Sequence, residues 1–205
     1  MGSTDFAELA LMIPPLALFV MAMVGSPGPA NIALMGAGAA AGVRGALPFF
    51  AGVLSGFLLL AVVLAFGLSE ILTRYPLLAQ ALTLIGTAYL GWLAYKLWTA
   101  RPAVASEKTE VPGFLAGLPV HPLNPKAWAM LVAALSRFVE PGPDATAQAL
   151  LVIAGFVVFG APLNMVWCAG GAMLSRVLAD KKRAVLLNRS LAVLLVISVG
   201  WSLLR

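Results

Sequence analysis

Apolar residues run through this chain in long blocks, and polar residues gather in short stretches between them. The blocks fall at roughly 7–40, 46–68, 77–98, 111–139, 145–175 and 184–204. A helix of about 20 apolar residues crosses a bilayer core, so the pattern predicts an all-α integral membrane protein with six transmembrane helices. Two blocks are interrupted. Ser26-Pro27-Gly28-Pro29 breaks the first, and Pro119, Pro122 and Pro125 break the fourth.

The clearly polar segment lies at 99–112, at the chain midpoint, and a shorter basic stretch, Ala-Asp-Lys-Lys-Arg, starts at Ala179. The first divides the chain into a three-helix repeat at 1–98, a cytoplasmic linker at 99–110 and a second three-helix repeat at 111–205. An odd number of spans per half makes the halves cross the membrane in opposite directions, as in inverted-repeat transporters. The expected fold is therefore an inverted repeat of three plus three helices, with helices 1 and 4 broken.

Composition agrees with this reading. The 205 residues are 61% hydrophobic and only 10% charged, against roughly 25% charged in soluble domains. The net charge of +5 raises nucleic acid as a partner. The cations, however, sit at the ends of apolar blocks, where topology signals belong, so no nucleic-acid surface is expected. Cys168, the single cysteine, excludes an internal disulfide and any multi-cysteine metal site. The opening Met-Gly-Ser-Thr-Asp-Phe-Ala-Glu has no basic region, so the first block is not read as a cleavable signal peptide.

Lysine and arginine set the orientation. Arg44, Lys96, Arg101, Lys108, Arg176, Lys181, Lys182, Arg183 and Arg189 fall on one side; Arg74, Arg137 and Arg205 fall on the other. The richer side is cytoplasmic, which places both termini outside.

The paired interruptions are the strongest pointer to a site. Pro27 and Pro125 lie 98 positions apart, close to half the chain. Proline lacks an N–H and clashes with the preceding turn, and freed backbone groups are tolerated only where they face protein or a water-filled cavity. Helix can restart at Pro29 and, with Asn124 as cap, at Pro125. Two restarted helices aim N–H groups and positive dipole ends at a common point, which suits a carboxylate. Lys126 stands just inside the second restart, where a cation costs about 2.5–3.5 kcal/mol on insertion scales. Binding an anionic substrate group accounts for that cost; snorkelling to an interface from a short span is the alternative. The expected substrate-binding set is Ser26, Pro27, Gly28, Pro29, Asn31, Asn124, Pro125, Lys126 and Asn164. The two embedded asparagines, Asn31 and Asn164, read equally as interhelical hydrogen-bonders. His121, the single histidine, is a candidate for proton coupling because imidazole titrates near ~6.5; satisfaction by loop carbonyls is the other reading.

Gly38/Gly42, Gly52/Gly56 and Gly113/Gly117 are spaced for close helix packing, within one subunit or at a homodimer face. Trp92, Trp98 and Trp201 read as interface anchors. Trp128 and Trp167 fit either the core or the cavity wall. All eight acids lie at termini, span ends or loops, so no paired-carboxylate chemistry, metal site or cofactor is expected.

At these residues the chain resembles the LysE/RhtB family of amino-acid exporters. The resemblance rests on Ser26-Pro27-Gly28-Pro29, on Phe114, Gly117 and Asn124-Pro125-Lys126-Ala127, on Gly42-Val43-Arg44-Gly45, on the run from Gly86 to Trp92, and on Asn188-Arg189. Departures at Ala30, at Pro119-Val120-His121-Pro122 and at Ala192 leave the substrate open. The resemblance implies outward transport of amino acids or related metabolites across a bacterial inner membrane in exchange for protons, without enzymatic activity. The rivals are a passive channel or carrier of another solute, and a hydrolase built on Ser26 and Lys126.

With both termini outside, a C-terminal alkaline phosphatase fusion is active and a C-terminal green fluorescent fusion is dark. The reverse pattern would refute the orientation.

Overall fold

A computed structural model describes residues 6–68, 76–99, 112–140, 142–177 and 181–203. Most of the linker expected at 99–110 lies outside these residues, as do Glu70, Arg74, Arg101, Lys108 and Arg205. The described residues are helical with short turns and no strand. In order they form α1 (Phe6–Gly25), α2 (Pro29–Val63), a π-helical turn (Leu64–Leu68) and α3 (Pro76–Thr99). Then come α4 (Phe114–Gly117), α5 (Pro125–Phe138), α6 (Ala145–Gly155), a second π-helical turn (Phe156–Gly160), α7 (Ala161–Val177) and α8 (Lys181–Leu203). Among the described residues, Ala7–Gly25, Pro29–Gly67 and Ala145–Leu174 are long and apolar enough to cross a membrane. This is consistent with an integral membrane protein.

α2 is not one straight rod. Its backbone leaves helical angles at Gly42, with φ 68° and ψ 174°, a conformation open in practice to glycine alone. Ala30 and Phe57 line the same cavity, yet a straight helix would hold them about 40 Å apart at 1.5 Å per residue. The two arms therefore fold back on one another at Gly42. This turn joins the blocks read from sequence as spans 1 and 2. α1 alone is 20 residues long, about 30 Å.

Small residues let backbones meet. A methyl group on Gly38 would land on the Cys168 carbonyl, and one on Gly171 on the Met35 carbonyl, so α2 and α7 pack backbone against backbone. On the second arm, Gly52 and Gly56 face the carbonyls of Phe114 and Leu118, while Gly117 faces the carbonyl of Phe49. Of the glycine pairs singled out by spacing, Gly52/Gly56 acts as a pair in packing. Gly42 instead makes the turn, and Gly113 faces open space. Two apolar cores result. One gathers α2, α3, α7 and α8 around Leu34, Phe49, Cys168 and Leu195. The other gathers α1, α5 and α6 with the far end of α2 around Leu16, Val20, Leu131 and Val152. Trp128 belongs to the second, its indole N–H donating to the Pro122 carbonyl at 2.7 Å. Arg189, in the first half of α8, stacks over the Trp98 ring with its guanidinium carbon 5.0 Å from the centroid, tying α8 to the end of α3.

The α2–α7 crossing supplies a paired test. Gly171→Ala forces its new methyl onto backbone and lowers the melting temperature in detergent. Gly170→Ala, whose methyl would sit 3.8 Å from the flexible Met35 Cε, leaves it nearly unchanged. Equal effects of the two would refute the backbone contact.

Candidate functional site

The site grows from the backbone carbonyls left over where α1 ends. In a continuing helix the carbonyl of residue i accepts from the N–H of residue i+4. Pro27 and Pro29 have no N–H to give, and Gly28 is extended, with φ −167° and ψ 170°. Four of the orphaned acceptors find donors in the protein. Ser26 Oγ donates to the Met23 carbonyl at 2.9 Å, replacing the N–H that Pro27 lacks. Asn31 Nδ2 reaches back seven residues to the Val24 carbonyl at 2.7 Å. Lys126 Nζ donates to the carbonyls of Ser26 at 2.7 Å and Pro27 at 3.2 Å, and to Ser26 Oγ at 2.9 Å. Helix then resumes at Pro29, with Ile32 N–H donating to the Gly28 carbonyl at 3.0 Å.

The second interruption is resolved in the same way. α4 stops after one turn, and Val120 N–H turns to the Gly117 carbonyl at 3.1 Å. That frees the Ala116 carbonyl, which the Tyr89 hydroxyl takes up from α3. Tyr89 lies within the run from Gly86 to Trp92, so that motif has a structural task here. Asn124 caps α5, its Oδ1 accepting from Lys126 N–H at 3.1 Å, with Pro125 in the first helical position.

Lys126 therefore has partners, although among the described residues no carboxylate lines the cavity. It begins α5, where that helix's own dipole opposes a cation, but its ammonium rests on the carbonyl end of α1, where a cation is favoured. Gly28 makes the approach feasible: a methyl there would fall 2.8 Å from Lys126 Cδ and 3.0 Å from Nζ.

Behind this contact lies a narrow cleft with a cavity volume of about 30 Å³. Asn31, His121, Asn124, Lys126 and Asn164 line it, together with Met23, Val24, Leu54, Phe57, Met130 and Phe156. Of the residues expected from sequence, Ser26 and Pro27 meet the cleft through Lys126. Gly28 clears the lysine stem, and Pro29 and Pro125 start the two helices. The apolar wall went unread, because Leu54, Phe57 and Phe156 look like any other buried residues until the arms of α2 fold back. His121 is buried, its ring edge-on to Phe57 with centroids 5.2 Å apart, and Nδ1 finds no partner in the protein. Loop carbonyls do not satisfy that nitrogen. No group of His, Cys, Asp and Glu able to hold a metal occurs among the described residues.

Ser26 and Lys126 do lie within hydrogen-bonding distance, as a hydrolytic pair requires. The donors point the wrong way for one: Lys126 is spent on carbonyls and the serine hydroxyl donates to Met23, so no amine lone pair is directed at the Ser26 proton.

Apolar helices here enclose a polar-edged cleft, consistent with an integral membrane protein. The chain matches the family described as LysE type translocator over residues 20–205, and it belongs to that family. It is 33% identical over 174 residues to a cysteine/O-acetylserine efflux protein of Klebsiella pneumoniae, a match covering 83% of this chain and 86% of the relative. A protein of the same description from Salmonella typhimurium is 32% identical over 174 residues, covering 83% and 87%. One from Escherichia coli O6:K15:H31 is 31% identical over 172 residues, again covering 83% and 87%. No solved structure gives a significant match.

Asn31→Leu strips the buried Val24 carbonyl of its donor and lowers stability by about 1–3 kcal/mol, the cost of an unsatisfied buried acceptor. Ser26→Ala costs less, because Ser26 is exposed and water replaces its hydroxyl. Thermal melting of the two variants side by side checks the order; the opposite order would refute this assignment of the freed carbonyls.

Proposed function

We propose that the chain exports small neutral amino acids and close metabolites from the bacterial cytoplasm across the inner membrane, in exchange for protons. The carrying observation is the contact of the Lys126 ammonium with the Ser26 and Pro27 carbonyls, which joins positions about half a chain apart at the mouth of the cleft. The substrate class follows that of the relatives, which are cysteine/O-acetylserine efflux proteins. It also fits a lining that offers a lysine for a carboxylate and no acid for a cationic side chain.

In this reading six spans form an inverted repeat of three plus three. The breaks at Ser26-Pro27-Gly28-Pro29 and Asn124-Pro125-Lys126 meet inside the membrane, and both termini face outward. Support comes from the similar build of the two breaks: each ends one helical piece, turns through proline-rich backbone and restarts helix on a proline. Lys126 leaves its carbonyls to pair with the substrate carboxylate, and Asn31, Asn124 and Asn164 offer hydrogen bonds to the polar parts of the substrate. His121, with Nδ1 unpartnered at the cleft wall, is the proton-coupling group. Homodimers remain compatible with this arrangement, since the cleft is formed within one chain.

Proteoliposome counterflow of labelled cysteine tests the reading. Lys126→Met abolishes counterflow per folded molecule, and Lys126→Arg restores a small part, because a planar guanidinium does not replace a compact ammonium. Wild-type counterflow in Lys126→Met would overturn the carboxylate role. His121→Gln keeps counterflow, which needs no net proton movement, and loses accumulation driven by a pH gradient. Retained gradient-driven accumulation would remove His121 from coupling, and efflux without counterflow would favour a channel.

A further inference from the structure

We infer that the Ser26 carbonyl, the Ser26 hydroxyl and the Pro27 carbonyl form a subsite for a primary ammonium group, which Lys126 fills in this structure and yields to the α-ammonium of the substrate. The inference rests on the exporter reading and extends it to the amino end of the substrate.

The geometry is that of an ammonium receptor. A lysine ammonium carries three N–H donors. Lys126 Nζ has three acceptors around it, at 2.7, 2.9 and 3.2 Å. Two are main-chain carbonyls at the end of α1, where the helix dipole adds negative potential. The third is a hydroxyl whose own proton is already committed to the Met23 carbonyl at 2.9 Å, so its lone pairs face the ammonium. An α-amino acid presents the same three donors on its own nitrogen. A lysine side chain is long and flexible, whereas the carbonyls are fixed by the break. When Lys126 swings toward the substrate carboxylate, the three acceptors lose their donors. The α-ammonium of the same substrate restores them. One zwitterion thus supplies both halves of the exchange: its carboxylate draws Lys126 away, and its ammonium takes the vacated place. A carboxylate without an ammonium would leave the acceptors bare, and an amine without a carboxylate would leave Lys126 with no new partner. This selects α-amino acids with a free primary amine over hydroxy acids and N-alkylated analogues, whatever the side chain.

Chemical rescue tests the subsite apart from transport. Purified Lys126→Ala is melted in detergent with rising propylammonium chloride or, at equal ionic strength, trimethylpropylammonium chloride. The variant melts below wild type; propylammonium raises its midpoint saturably, and the quaternary ion does not. Wild type responds to neither. A variant indifferent to propylammonium, or equally responsive to both cations, overturns the subsite. Should Lys126→Ala fail to fold, wild-type counterflow of labelled cysteine carries the test through competition by L-alanine, N-methyl-L-alanine and N,N-dimethyl-L-alanine. Competition weakens roughly tenfold for each N–H removed, the size of one charge-assisted hydrogen bond; equal competition by the three overturns the subsite. Rescue in a protein that carries no amino acid would sink the exporter reading and leave the ammonium subsite standing, so the two fail separately.

Discussion

Backbone carbonyls that lose their helical donors at Ser26-Pro27-Gly28-Pro29 must find others, and much of the site follows from how they do so. Four of the freed carbonyls take donors from the protein itself. A serine hydroxyl and an asparagine amide supply two of them locally, and the ammonium of Lys126 supplies the rest from the other half of the chain. A break that would destabilise an isolated helix thereby becomes a specific link between α1 and α5. The same link sets the position of Lys126, the one cation that lines the cleft among the described residues.

That link requires helices to approach closely. Glycines at the α2–α7 crossing and along the second arm of α2 allow main chain to touch main chain. Without a hydrophobic driving force between helices in lipid, such packing and interhelical hydrogen bonds provide the cohesion. The short α4 depends on it: pressed against Gly52 and Gly56, it ends after one turn and presents His121 and Asn124 to the cleft. Tyr89, donating to the Ala116 carbonyl, holds the far side of that turn.

A polar floor and an apolar wall give the cleft a division of labour. In the proposed export function Lys126 and the asparagines address the charged and polar ends of an amino acid, whereas Phe57, Leu54, Met130 and Phe156, which line the same cleft, face its side chain. His121 is the exception on the wall, a buried imidazole with an uncommitted nitrogen. A group of that kind is costly to bury, which is why it draws attention as a coupling element rather than as packing.

Much of this was legible in the order of residues alone. Proline chemistry dictates where helix must stop and restart, and apolar length dictates the membrane class, because both are local or nearly local properties. The resemblance to the LysE family was read from the same motifs. Lys126 was conspicuous as a cation without an acid, yet sequence reasoning counted side chains and missed that main-chain carbonyls would serve as its partners. Nor did spacing reveal that Gly42 turns the chain back while Gly38, a helical turn earlier, packs against α7. Those outcomes depend on which surfaces meet across about 100 residues of chain, and only the folded arrangement decides that. The sequence by itself determined the helices, their interruptions and the chemical groups near them; the tertiary structure decided which freed acceptor each donor would satisfy, because a hydrogen bond is set by distance and direction, and neither is written in sequence separation.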